Sequence, residues 1–222
     1  MRTRGVGEVV ALGAARIRET LSSEETLVIL VRATPGEAGA GRGLALRALA
    51  EGDGRLYARA IGTDSASTFR ARLAPDTRCF VVEDGERVLH ASWVTTGCAW
   101  TRELRSYICG GPGDAYVYES FTRSDARGRG VYPFALKEIC RVLDAEQVGR
   151  LWVAVEAHNE PSLKAVTKAG FEQELTIQYA RRLGRLSVNV PVGVKTDTSV
   201  AGRRKKARIW LSRDGAMQQW ER

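Results

Sequence analysis

The hexapeptide Arg127-Gly128-Arg129-Gly130-Val131-Tyr132 carries the residue types of an anion site. Glycines two residues apart let the backbone turn sharply without Cβ clashes, so that several unpaired N–H groups can converge on one point. Pro133, followed by Leu136, Ile139, Cys140 and Leu143 on one face, predicts a helix directly behind the loop. The helix dipole adds partial positive charge there and Arg127 and Arg129 add full charges, so a phosphate or pyrophosphate is the natural guest. A Walker A loop would need G-x-x-x-x-G-K-[ST], which is absent. A dinucleotide G-x-G-x-x-G fails because Pro133 stands in the last glycine position. An ordinary Gly-Arg turn between strand and helix is the alternative reading.

The elements around this loop are legible. Ahead of it, Tyr116, Val117, Tyr118 and Phe121 read as a strand. Behind the helix, Leu151-Trp152-Val153-Ala154-Val155 is an uninterrupted apolar run with the length of a strand buried on both faces, and it ends at His158-Asn159. Pro161, Ser162, Leu163 and Val166 then open a short helix that stops at Gly170, before Phe171 begins another strand.

On these residues the chain resembles the GNAT N-acetyltransferase superfamily, whose pyrophosphate loop reads [QR]-x-x-G-x-[GA]. Arg127, Gly128, Arg129, Gly130 and Val131 match that loop, while Tyr132 departs at its last place. The segment Asn159-Glu160-Pro161-Ser162 to Ala169-Gly170-Phe171 resembles the second signature, Asn-x-x-Ser followed by Gly-Phe. The resemblance covers roughly residues 64–186. It implies an α/β (α+β) fold: a mixed, mostly antiparallel sheet, splayed at its central parallel pair and flanked by helices. It also implies acetyl-CoA or another acyl-CoA as co-substrate, no metal, and direct attack by a primary amine of a small molecule or peptide in a ternary complex. The carrier's arm would lie between strands 115–122 and 151–156, against Ser120, Phe121, Thr122, Asn159 and Ser162. Homodimers are common in the family.

Amine attack on a thioester needs positioning, an N–H for the oxyanion, a base for the amine proton and an acid for the thiolate. Glu119 on the central strand and His158 at the end of the neighbouring strand are the candidate bases, with Asp114 as an alternative. Many family members carry a Tyr in the helix after the Asn, where this chain has Val166. The acid is then expected from Tyr179, Tyr132 or solvent.

A chain of 222 residues with 44% hydrophobic content can bury a full core. No window approaches the roughly 18 apolar residues of a membrane span, and the start of the chain does not read as a secretory signal, so a cytoplasmic location is expected. Cys79, Cys98, Cys109 and Cys140 show no metal spacing and are expected as reduced thiols.

The net charge of +8 belongs to one end. Residues 1–180 hold 23 basic and 23 acidic side chains, whereas 181–222 hold 11 against 3. The densest stretch is Arg203, Arg204, Lys205, Lys206 and Arg208, with Trp210 and Trp220 nearby. A solvated tail, or a surface for an acidic carrier protein or nucleic acid, fits that composition. The expected organisation is an N-terminal arm (1–25), an acyltransferase domain (26–186) and a basic C-terminal extension (187–222).

Elsewhere, Leu27 to Val31 reads as the first strand, Leu44 to Ala50 as a helical piece ended by Gly52 and Gly54, and Ser65 to Leu73 as a helix. Residues 79–95 form a hairpin around Asp84-Gly85, with both residues expected at positive φ. Thr96 to Gly113 reads as a long connection whose Trp100 and Tyr107, with Trp93, are candidate acceptor-pocket residues. Val188 to Val194 is a short strand candidate, Thr196 to Ala207 a linker, and Arg208 to Leu211 an edge strand. Two further readings remain open: long-chain acyl transfer from an acyl carrier protein, and a non-catalytic module that binds CoA or nucleic acid.

Overall fold

The structure, a computed structural model, describes residues 22–36, 39, 41, 43–182, 185–192, 194–201 and 204–211. Most of the expected N-terminal arm, the turn at Gly184, and Arg203 and Trp220 lie outside the described residues. The first half of the chain contains β1 (Ser22–Ala33), β2 (Leu44–Ala48), α1 (Gly54–Ala60), α2 (Ala66–Arg72), β3 (Thr77–Asp84), β4 (Arg87–Thr95), β5 (Cys98–Thr101) and β6 (Ser106–Gly110). It continues through β7 (Asp114–Thr122), α3 (Val131–Ala145), β8 (Arg150–Glu156), α4 (Glu160–Lys168), β9 (Glu172–Arg182), β10 (Arg185–Asn189), β11 (Lys195–Ala201) and β12 (Arg204–Leu211).

Eight strands form one sheet in the order β10-β9-β1-β8-β7-β4-β3-β2, and four form a second in the order β11-β12-β6-β5. The large sheet is antiparallel except where β7 and β8 run side by side. That parallel ladder pairs only Asp114–Val117 with Arg150–Val153, so Tyr118–Thr122 and Ala154–Glu156 diverge from each other. This is the expected splay.

The two faces of the large sheet are covered differently. On one, Leu136, Ile139, Cys140 and Leu143 of α3 and Val166 of α4 pack on Val28, Leu30, Val117, Val153 and Val155. On the other, Leu27, Ile29, Tyr116, Trp152 and Ile177 meet Ile108, Ile209 and Leu211 of the small sheet. Tyr57 and Phe69 of α1 and α2 cover Cys79, Val81 and Trp93 next to it, with Tyr118 at the junction.

Capping residues end the helices where the sequence places them. Gly170, at φ 90, closes α4 with its amide on Thr167 O at 2.9 Å, and the Phe171 amide reaches back to Val166 O at 3.3 Å. The hairpin turn is Gly85-Glu86, and of the expected positive φ angles only that of Gly85 occurs, at 59, which suits a turn with glycine first.

Several expectations are corrected. Residues 44–48 form a strand, because they pair with β3 from Leu44–Asp84 to Ala48–Phe80, and the following helix starts at Gly54 instead of ending there. The helical pair therefore follows β2. The first strand, β1, lies at the far side of the sheet, inserted between β8 and β9. The connection 96–113 contains the β5–β6 hairpin, whose directly opposed Cys98 and Cys109 form a disulfide, so only Cys79 and Cys140 remain as buried thiols. The expected linker 196–207 is the β11–β12 ladder, and β12 is not an edge: it pairs with β11 on one side and, in parallel, with β6 on the other.

Candidate active site

β7 delivers the chain to the site and breaks its own ladder there. Trp93 of β4 pairs with Tyr118 and Ala91 with Phe121, so Glu119 and Ser120 together face the single residue Ser92. Glu119 takes φ 45, a left-handed conformation uncommon for a residue with a Cβ. Arg72 of α2 holds its carboxylate at 2.7 Å. Arg72 also pairs with Asp64 and sits 4.0 Å over the Trp93 ring, so Glu119 is tied to a structured cluster of one guanidinium, two carboxylates and an aromatic ring.

Past Thr122, a short 3-10 turn (Ser124–Ala126) leads into the glycine loop. Gly128 and Gly130 both have φ 76, and a Cβ built at either would meet nothing within 4 Å, so the requirement for glycine is conformational. Gly130 is the N-cap of α3, and the first helical bond runs from Phe134 N to Gly130 O at 3.1 Å. Among the described residues, no well-formed hydrogen bond runs from the amides of Gly128, Arg129, Gly130, Val131 and Tyr132 to a protein acceptor. They form an open cluster of donors at the positive end of a 15-residue helix. Arg127 is pinned by Nε to Thr122 O at 3.2 Å, and Arg129 lies 3.5 Å from Asp84; both are exposed beside the loop.

Tyr132 does not crowd these amides. Its ring stacks on His90, with centroids 5.1 Å apart, and its hydroxyl neighbours Ser120. His90 is almost fully buried, and burial pushes its imidazole down to about 3, so the ring is neutral. The sequence reading assigned His90 no role, since an apolar strand pattern hides a buried polar residue.

The other expected residues are distributed as follows. Phe121 packs under α1 and α2, and Val131 is buried beside Phe134. Asn159 caps α4, its Oδ1 accepting from the Ser162 amide at 3.3 Å. Tyr179 lies buried on β9; its hydroxyl donates to Glu25 at 2.7 Å and sits 3.1 Å from Glu156. Burial, together with the two carboxylates, raises the phenol, which keeps its proton. Glu156 in turn lies 3.4 Å from Nε2 of the exposed His158, at the open end of β8. Glu25 and Glu156 were not singled out from sequence. Asp114 is not free to act as a base: it is buried and bonded to Arg150 at 3.0 Å and to Trp152 at 2.8 Å. Trp93 is fully buried in the core. Trp100 and Tyr107 pack edge to face on the small sheet. No group of metal-ligating side chains occurs among the described residues.

Residues 46–171 match the model of the acetyltransferase (GNAT) family, which is more than half of the chain, and the chain belongs to that family. Among solved structures, a GCN5-related N-acetyltransferase from Sphaerobacter thermophilus superposes with a TM-score of 0.54 at 13% identity, over 78% of this chain and 56% of that one. A protein assigned to the GNAT family from Novosphingobium aromaticivorans gives 0.51 at 16% identity, over 72% and 66%. A functionally unknown conserved protein from Staphylococcus epidermidis gives 0.51 at 9%, over 81% and 67%. At these identities the likeness is one of fold, and the chain spans 56% to 67% of these solved chains. No curated protein matches it in sequence.

Proposed function

We propose that the chain transfers an acyl group, most simply acetyl, from acyl-CoA to a primary amine of a small molecule or peptide. The observation that carries this reading is the open amide cluster of residues 128–132, set beside the divergence of β7 and β8. The amides and the α3 dipole would take the pyrophosphate, with Arg127 and Arg129 adding charge. The amide-containing arm would enter the splay along Ser120–Thr122, between β7 and the start of α4 at Asn159 and Ser162. Acetyl-CoA would then be a co-substrate, and the chemistry requires no metal.

In this reading the amine attacks the thioester carbonyl, a tetrahedral oxyanion forms near the backbone of the bulge at Glu119, and the C–S bond breaks to release the thiolate. The amine proton passes to His158, oriented by Glu156, and the thiolate takes a proton from solvent. Glu119 is engaged by Arg72, and Tyr179 holds its proton between two carboxylates, so both are better suited to shaping the site than to moving protons. Isothermal titration with acetyl-CoA tests the reading. Saturable binding that is lost in Gly128→Asp and Gly130→Asp is expected; absence of binding by the intact protein would overturn it.

One observation favours an additional partner. On the outward side of the small sheet, Lys206 lies 4.5 Å over the Trp100 ring and 5.6 Å from that of Tyr107, and Arg208 and Lys195 share this face. Cations among aromatics suit a polyanion such as an acidic carrier protein or a nucleic acid. Turnover with acyl carrier protein but not with acetyl-CoA would make the carrier the donor. A cytoplasmic site of action and a homodimer belong to the same proposal. Among the described residues no helix is long and apolar enough to cross a membrane.

A further inference from the structure

A line of four polar side chains runs beneath the entrance to the proposed carrier site. His90 Nδ1 lies 2.7 Å from Thr122 Oγ1, and its Nε2 lies 2.7 Å from Ser92 Oγ. Ser92 Oγ lies 2.7 Å from Ser120 Oγ, which neighbours the Tyr132 hydroxyl. His90 and Ser92 are buried, Thr122 is half-buried and Ser120 is exposed. The line therefore starts in the core and surfaces at two hydroxyls two residues apart on β7.

Counting protons along this line gives a definite result. A neutral imidazole has one donor nitrogen and one acceptor nitrogen. If Nδ1 carries the proton, it donates to Thr122, whose own proton is then free to point outward. Nε2 accepts from Ser92, Ser92 must accept from Ser120, and Ser120 offers only lone pairs. If Nε2 carries the proton, the order reverses: Ser92 donates to Ser120, whose proton becomes free, while the Thr122 proton is consumed by Nδ1. In both tautomers Ser120 and Thr122 present opposite hydrogen-bonding character, one donor and one acceptor.

We propose that His90 is a positioning residue that, acting directly on Thr122 and through Ser92 on Ser120, fixes a donor and an acceptor hydroxyl side by side on β7 to receive an amide group of the ligand. An amide carries one C=O and one N–H, which such a pair complements, whereas a diphosphate has acceptors only. The inference rests on the acyl-CoA reading and adds to it which groups read the carrier's arm and how they are set. Tyr132, stacked on the same ring, links the first turn of α3 to this pair.

The test compares CoA, which has amides, with ADP, which keeps the diphosphate without them. Ser92→Ala cuts Ser120 off from the ring while leaving both ligand-facing hydroxyls in place. The expected result is a 5- to 20-fold weaker Kd for CoA with an unchanged Kd for ADP, a rise in KM for acyl-CoA rather than a fall in kcat, and restoration by Ser92→Thr. In a Ser120→Ala background, Ser92→Ala should have no further effect on CoA. Nitrogen-15 NMR of the histidines should show His90 with one protonated and one bare ring nitrogen. CoA binding unaffected by Ser92→Ala, or CoA and ADP weakened equally, overturns the inference while leaving the acyl-CoA reading intact. Failure of the wild-type protein to bind either ligand removes the underlying reading instead.

Discussion

Arg72 of α2 holds the carboxylate of Glu119 at 2.7 Å, in the place where β7 leaves its ladder with β4. The same guanidinium stacks on Trp93 and pairs with Asp64, so one side chain from the helical pair fixes both the bulge and the core beneath it. Removing it leaves the partly buried Asp64 carboxylate without its cation and uncovers the Trp93 ring. Arg72→Leu is expected to destabilise the fold by about 2–4 kcal/mol, measured by urea unfolding, with Arg72→Lys recovering only part because it cannot reproduce the planar stack.

His90 makes stability depend on acid. Its folded-state value is lowered to about 3 by burial, whereas the unfolded chain protonates near the ordinary value of about 6.5. The stabilisation tied to the neutral ring is therefore complete above that ordinary value and is lost progressively as pH falls towards about 3. Between pH 7 and pH 5 the wild type should lose about 2 kcal/mol more than His90→Asn, compared by denaturant midpoints at each pH.

The Cys98–Cys109 disulfide gives a direct chemical count. Thiol titration of the unfolded protein without reductant should find two thiols, Cys79 and Cys140, and four after reduction. The bridge closes a short loop, with a sequence separation of 11, so Cys98→Ser with Cys109→Ser should cost about 2–3 kcal/mol. A finding of four thiols in the unreduced protein would contradict the pairing.

Gly130 is held at φ 76 with open space around it. Gly130→Ala should therefore cost about 1 kcal/mol through backbone strain alone, read as a shift in thermal midpoint, without disturbing the core.

The sequence was most legible where one periodicity and one cap coincide. The α3 face, the β8 run and the Gly170 stop were all recoverable, because burial on a helix face or between two layers leaves no other arrangement for those residues. The segment 44–50 was not: Leu44, Leu46 and Leu49 satisfy both a strand and a helix spacing over so short a length, and only pairing with β3 decides between them. The small sheet was missed because β5 and β6 are only four and five residues long, β11 and β12 read as polar and basic sequence, and β12 finds β6 across about 100 residues of chain. At the site, the anion loop could be read because glycine conformations are written into the sequence. The partners of Tyr179 and His90 could not, since they come from β1, β4, β7 and β8 and depend on register.

The insertion of β1 between β8 and β9 has a consequence for synthesis. The apolar segment Leu27–Val31 is made early, yet both of its hydrogen-bonding neighbours are made more than 100 residues later. A ribosome adding roughly 5–20 residues per second would leave this strand unpaired for several seconds. During that interval its two bare edges are a template for the wrong neighbour, which makes the emerging chain a natural client for a holding chaperone.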